Sequence, residues 1–164
     1  MHRYWAALLR ARGADILAYD YKPANAEHEN LFYNHAFTEV TIGHGPEVAA
    51  SDVATGRALF MAWPYNEQER CVVAMTDLSR GSRGSCDEKK QRPWDYESLR
   101  NYRGDCVCHL GELQARKPNN WRSCTTSLEF EHYLLEHFSL ERVVSIPHLC
   151  PVAFDELTIW RRKG

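Results

Sequence analysis

The side chains best suited to chemistry in this sequence sit at the ends of apolar runs. Asp20 closes the run Ile16–Tyr19, which is nearly continuous in apolar residues. Such a run reads as a parallel strand covered on both faces, and open α/β sheets bind ligands at the carboxyl ends of their strands. A carboxylate there accepts hydrogen bonds from ribose hydroxyls in dinucleotide-type folds. It is equally suited to cap a turn with Tyr21, Lys22 and Pro23. Trp63, Pro64 and Tyr65 close a second apolar run, Arg57–Ala62. Proline stops the strand, and two aromatic rings flank it where a ligand would sit. Rings at such an edge also serve simply to close a core. His44 follows a third run within Gly43–His44–Gly45–Pro46, a loop setting in which a histidine is usually just solvated.

Other reactive types are scattered in ways that exclude familiar sites. The six cysteines fall at 71, 86, 106, 108, 124 and 150, and no CxxC pair occurs. Cys106 and Cys108 face one side of a probable strand and read as packed thiols rather than ligands. This scatter fits a reducing compartment, taken as cytoplasmic, rather than a disulfide scaffold. His132 and His137 are five apart and do not meet on one helical face, so no metal is expected. The net charge is -2, from 20 basic and 22 acidic residues, which gives no global attraction to nucleic acid or anionic membranes. No apolar run approaches the roughly 20 residues of a membrane span. Arg3, Arg10 and Arg12 precede the first acid, Asp15, as in a transit peptide, but an apolar run follows so directly that an ordinary helix is the better reading.

A chain of 164 residues, 44% apolar and 12% aromatic, suits one domain with a real core. The helix opening at Tyr4 places Trp5, Leu8 and Leu9 on one face, and Gly13 sits where a left-handed stop belongs. Strands are predicted near 15–19, 37–42, 57–62, 105–110, 141–146 and 156–162. Lys22–Asn34 reads as a loop with a short helix, and Glu47–Ser51 as the start of another. Asp95 is placed to cap a helix through Tyr102, with Trp94 and Leu99 as a hydrophobic staple. Thr126 and Glu129 form a capping box for a helix to Phe138, whose apolar face carries Phe130, Leu134, Leu135 and Phe138. Glu131 falls near that face with no evident partner. The alternation of strand and helix predicts a parallel sheet with helices on both faces. The connection before the last strand is too short for a helical crossover, so that strand is antiparallel.

The runs YWAALLRARGADILAYD, RALFMAWPY, LRNYRGDCVCHLGE and LTIWRRK together resemble class I S-adenosylmethionine-dependent methyltransferases. The resemblance is strongest to an uncharacterised eukaryotic methyltransferase-like group with an aromatic-proline motif after its fourth strand. It implies an α/β fold: a Rossmann-like methyltransferase sheet, mostly parallel, with a C-terminal antiparallel hairpin. It also implies S-adenosylmethionine as cofactor, with Asp20 on its ribose, Tyr21 beside the adenine and Gly43 near the adenine edge. Trp63, Pro64 and Tyr65 would line the methyl-transfer side, and Gly111 and Glu112 would border the acceptor pocket.

Two departures qualify what the resemblance implies. Only Met1, His2 and Arg3 precede Tyr4, and no glycine precedes Gly13. The family's first strand, which lies mid-sheet between the second and fourth, and its glycine-rich cofactor loop are therefore lacking. The expectation is an N-terminally truncated domain whose cofactor binding is weak or lost and whose activity is in doubt. No Asn or Asp precedes Pro64, so the acceptor that amino-methylating relatives use for a nitrogen nucleophile is absent as well. The methyl acceptor, small molecule or protein, stays open, as does the oligomeric state. A non-catalytic α/β interaction module is the alternative. An NAD-type protein would also use Asp20, but the terminal hairpin disfavours it.

Residues 79–92 are glycine, serine and charge with almost nothing to bury. They read as a disordered insertion, because ordering them costs about 1–2 kcal/mol per residue with no compensating contacts. Their basic residues are interrupted by acids and not interleaved with aromatics, so no nucleic acid is expected there. Limited proteolysis is expected to cut this stretch first; resistance there, with cleavage elsewhere, would refute the reading.

Overall fold

A computed structural model describes residues 2–21, 37–64, 92–117, 125–146 and 155–164. Tyr65, the segment Lys22–Asn34 and the insertion up to residue 91 lie outside the described residues. The elements in chain order are α1 (His2–Ala11), β1 (Tyr19–Asp20), β2 (Thr41–Ile42), α2 (Gly45–Ala50), β3 (Leu59–Ala62), α3 (Trp94–Asn101), β4 (Cys106–Gly111), α4 (Leu128–His137), β5 (Phe138–Val144) and β6 (Glu156–Arg162). Single 3-10 turns lie at Asp52–Ala54 and Gln114–Arg116.

The fold is mixed α/β, with the strands in two sheets. β1 and β2 pair in parallel, Tyr19 with Thr41 and Asp20 with Ile42. The larger sheet has the order β3-β4-β6-β5. β3 runs parallel to β4, and β6 runs antiparallel to both β4 and β5. Thus β3, β4 and β5 point one way and β6 alone points the other, the antiparallel closing strand that the short final connection predicts.

One continuous sheet with a long strand over 15–19 is not what forms. The hydrogen-bond ladder stops between the two sheets; there Arg57 pairs with the Asp15 carboxylate and donates to its carbonyl oxygen at 3.0 Å. α1 ends as predicted at Gly13, in the left-handed region with φ 82°. Its Arg10 guanidinium then donates to Ile16 O at 2.8 Å and Glu39 O at 2.9 Å. Those carbonyls are occupied by a side chain, so the β1–β2 ladder begins only at Tyr19. Leu17 and Ile42 are accordingly exposed rather than buried on both faces.

One face of the larger sheet carries the core. Met61, Val107, Trp160 and Phe138 meet Leu99 and Tyr102 around α3 and Phe130 and Leu134 of α4. Phe60, Cys106, Cys108 and Ile159 alternate with these residues and lie on the opposite face, half-buried. No helix among the described residues is long and apolar enough to cross a membrane.

The helix starts differ from expectation by one or two residues, and the differences are informative. α3 begins at Trp94 with Pro93 as its N-cap and no side-chain cap. Asp95 is therefore the second residue of the helix rather than its N-cap. It is 1% exposed and reaches across to accept from the Ser127 amide and hydroxyl, both at 2.7 Å, and from Tyr96 N. Trp94, being helical itself, does not precede a cap as a staple requires. The N-cap of α4 is Ser127, whose Oγ accepts from Phe130 N at 3.1 Å. Thr126, the expected cap, instead donates to Glu112 O at 2.9 Å. Leu135 faces outward. Glu131, near the apolar face, is buried because it accepts from Gln114 N at 2.7 Å and from Ala115 N, capping the 3-10 turn after β4.

Replacing Asp95 with Ala leaves buried donors of α4 without an acceptor. Asp95→Ala is expected to cost about 2–4 kcal/mol in denaturant unfolding, with Asp95→Asn in between. A loss below about 0.5 kcal/mol would show that this bridge is incidental.

Candidate functional site

Two groups of residues gather at strand ends. At the first, Gly43 N donates to Asp20 O at 3.1 Å, so Asp20 and Gly43 lie together where β1 and β2 end. Tyr21 is 66% exposed, and its ring stands edge-on to His44 at 5.7 Å. A Cβ at Gly43 would lie 2.9 Å from both the Tyr19 ring and Val48 Cγ2. The glycine is thus required by packing within the chain. The structure brings Asp20, Tyr21 and Gly43 into one group.

At the second group β3 and β4 end side by side. Trp63 N donates to Leu110 O at 2.7 Å, and its φ of 44° puts a bulky residue in the left-handed region, a costly conformation that needs outside support. Part of that support is its indole N–H, which donates to Asp155 at 2.7 Å. Pro64 is buried beside it. Across the strand pair Gly111 has φ 149°, and a Cβ there would come within 2.9 Å of Thr125 Oγ1. Glu112 is 2% exposed; its amide donates to Thr125 Oγ1 at 2.8 Å and its carbonyl accepts from the hydroxyls of Thr125 and Thr126. Glu156 pairs with Gly111 from β6. The hydrogen bond from Arg116 holds its carboxyl below the usual carboxylate range. The structure therefore unites Trp63, Pro64, Gly111 and Glu112, while Tyr65 lies outside the described residues.

His109 is part of this second group and is not singled out by sequence. Its ring packs against Phe130 with centroids 5.5 Å apart, fully buried, and its Cε1 would lie 3.3 Å from a Cβ on Gly111. Among the described residues neither ring nitrogen has a hydrogen-bond partner. The available signal is the alternation in Cys106–Gly111, which puts a polar ring at the core position between Val107 and Gly111. Asp155, Thr125 and Thr126 act through backbone and indole contacts that no local pattern reveals. Among the described residues no group of three His, Cys, Asp or Glu side chains is placed to hold a metal ion.

Chemically, the first group offers a carboxylate at a strand end beside an exposed aromatic ring. The second offers an indole, a backbone stripped of side chain at Gly111, and a buried carboxylate. Compared with protein-family models, with curated proteins and with solved structures, the chain matches none.

Burial, with a smaller contribution from Lys117, pushes the His109 imidazole down from 6.5 to about 3. The ring is neutral in the fold, whereas the unfolded chain takes up a proton below 6.5. The stability this difference confers is complete above pH 6.5 and is lost as the pH falls toward 3, at up to about 1.4 kcal/mol per unit. His109→Leu is expected to flatten the acid limb of stability by that slope, read from urea unfolding between pH 7 and 4. Parallel curves for the two proteins would show that His109 carries none of the acid sensitivity.

Proposed function

We propose that this chain is a class I S-adenosylmethionine-dependent methyltransferase-like domain that holds its cofactor weakly and acts, if the cofactor is delivered, on an acceptor at the β3–β4 end. The observation that carries this reading is the grouping of Asp20, Tyr21 and Gly43 at adjoining ends of two parallel strands. A carboxylate there suits the two ribose hydroxyls, and the exposed Tyr21 ring suits an adenine face. The antiparallel strand beside β5 and the break in hydrogen bonding between β1 and β3 also favour it, since the family's first strand would lie at that break.

The fit is partial. Asp20, Tyr21 and Gly43 are at hand for the adenosyl end, and none of the described residues is assigned to the methionine end. Forgoing two or three hydrogen bonds at about 1–1.5 kcal/mol each lowers affinity roughly 100-fold. When bound, the cofactor supplies an electrophilic methyl group. The chain's own part at the second group is positioning: Trp63 and Pro64 form an apolar wall, Gly111 leaves room for the Thr125 hydroxyl, and Glu112 sets a carboxyl group nearby. Positioning alone accounts for much of the acceleration that such transfers need.

A non-catalytic interaction module is the second reading, favoured by the brevity of β1 and β2, two residues each. Cofactor binding separates the two. Amide shifts of the labelled protein titrated with S-adenosylhomocysteine are expected to move weakly but specifically at 19–21 and 41–44, and Asp20→Ala is expected to abolish the response. No response at the solubility limit, or an equal one in the variant, would defeat the cofactor assignment and leave the module reading.

A further inference from the structure

Cys106 and Cys108 lie away from both strand-end groups, on the face of β4 opposite the core. Both are free and half-buried, and, two apart on one strand, they face the same side of the sheet. The walls around them come from the neighbouring strands. Phe60 and Ile159 flank Cys108 in register, and Arg161 stands opposite Cys106. Glu141 and Asp105 both pair with Arg161, and Arg142 stands opposite Ile159, so the charged groups at the rim of this face among the described residues include two cations and two acids.

We propose that Cys106 and Cys108 form a two-coordinate site for a soft monovalent metal ion of the copper(I) type. Two sulfurs side by side in an apolar setting match the ligand preference of such an ion. A strand holds both on one face without backbone rearrangement. No third His, Cys, Asp or Glu completes a set with them among the described residues, which disfavours the four-coordinate geometry that zinc demands. The occupied site carries one net negative charge; Arg161 beside it is already paired with Glu141 and Asp105, and Arg142, opposite Ile159, is the further cation on this face. Occupation breaks two S–H bonds, forms two S–metal bonds and releases two protons to solvent, with no change of oxidation state.

Burial, then the adjacent Cys106, pushes the Cys108 thiol up to about 12. The Cys108 thiol is therefore a poor nucleophile, and an ion with high affinity for sulfur is needed to displace its proton. The inference does not depend on the cofactor reading, because neither cysteine belongs to the strand-end groups.

The test is titration of the reduced full chain with copper(I) under anaerobic conditions, against a chromophoric competitor, between pH 6 and 8. One equivalent is expected to bind, with affinity rising toward 100-fold per pH unit as two protons are released. Cys106→Ser and Cys108→Ser are each expected to weaken binding by at least about 100-fold. A variant with serine at Cys71, Cys86, Cys124 and Cys150 is expected to keep the equivalent. X-ray absorption is expected to report two sulfur neighbours. Unchanged binding in either single variant, loss in the quadruple variant, or three or more sulfur neighbours would overturn the proposal. Circular dichroism guards against unfolding, and alanine at 106 or 108 replaces serine if the polar hydroxyl disrupts the sheet.

Discussion

The buried carboxylate of Asp95 is the contact on which the larger sheet and its helices depend. Burial of an acid in an apolar setting is unfavourable unless its oxygens are satisfied, and here desolvation raises the Asp95 pKa despite three hydrogen bonds. Those bonds fix the start of α4 against the start of α3 through Ser127. Thr126, one residue earlier, holds the carbonyl of Glu112 just beyond β4, and Glu131, one turn later, holds the 3-10 turn that follows. A chain of polar contacts therefore runs from α3 through the start of α4 to the end of β4. Remove its first link and the helices lose their registry with the strand whose end forms the second site.

Much of this architecture is legible in the residues. The runs before Asp20 and Trp63 mark strand ends, Gly13 marks a helix stop, and the alternation in Glu156–Arg162 marks the closing strand. Trp63, Pro64, Gly111 and Glu112 each follow an apolar run, but only the β3–β4 pairing sets the two run ends side by side. What is not legible depends on partners distant in sequence. Nothing near Asp95 says that its acceptors serve Ser127, 32 positions on; a local capping rule sends it to its own helix instead. Nothing near Glu131 points to Gln114. Arg10 looks like an exposed helical base, yet it takes carbonyls from two segments and shortens β1. His109 looks like a polar interruption until the pleat assigns it to the core face.

The two sheets differ in how their edges are protected. β5 is an edge strand with Leu140 and Val143 exposed, a template for pairing with another chain. A register shift between Leu140 and Arg142 and the charges of Glu141 and Arg142 interrupt it. Bulges and charges of this kind are how edge strands avoid non-specific association. β1 and β2 are too short to present a comparable template.

The strand order carries a consequence for how the protein is made. β6 follows β5 in the chain but lies between β4 and β5 in space. During synthesis β4 can pair with β3 as soon as both have emerged, but its other edge and β5 wait until residues 156–162 have been added. The pairing of Cys106 with Arg161 and of Leu110 with Leu157 must close loops of about fifty residues, a slow step by the entropy of loop closure. α4 and β5 therefore pass through a period when Phe130, Leu134 and Phe138 have only part of their native cover. In a cell this interval is when a holding chaperone would find them.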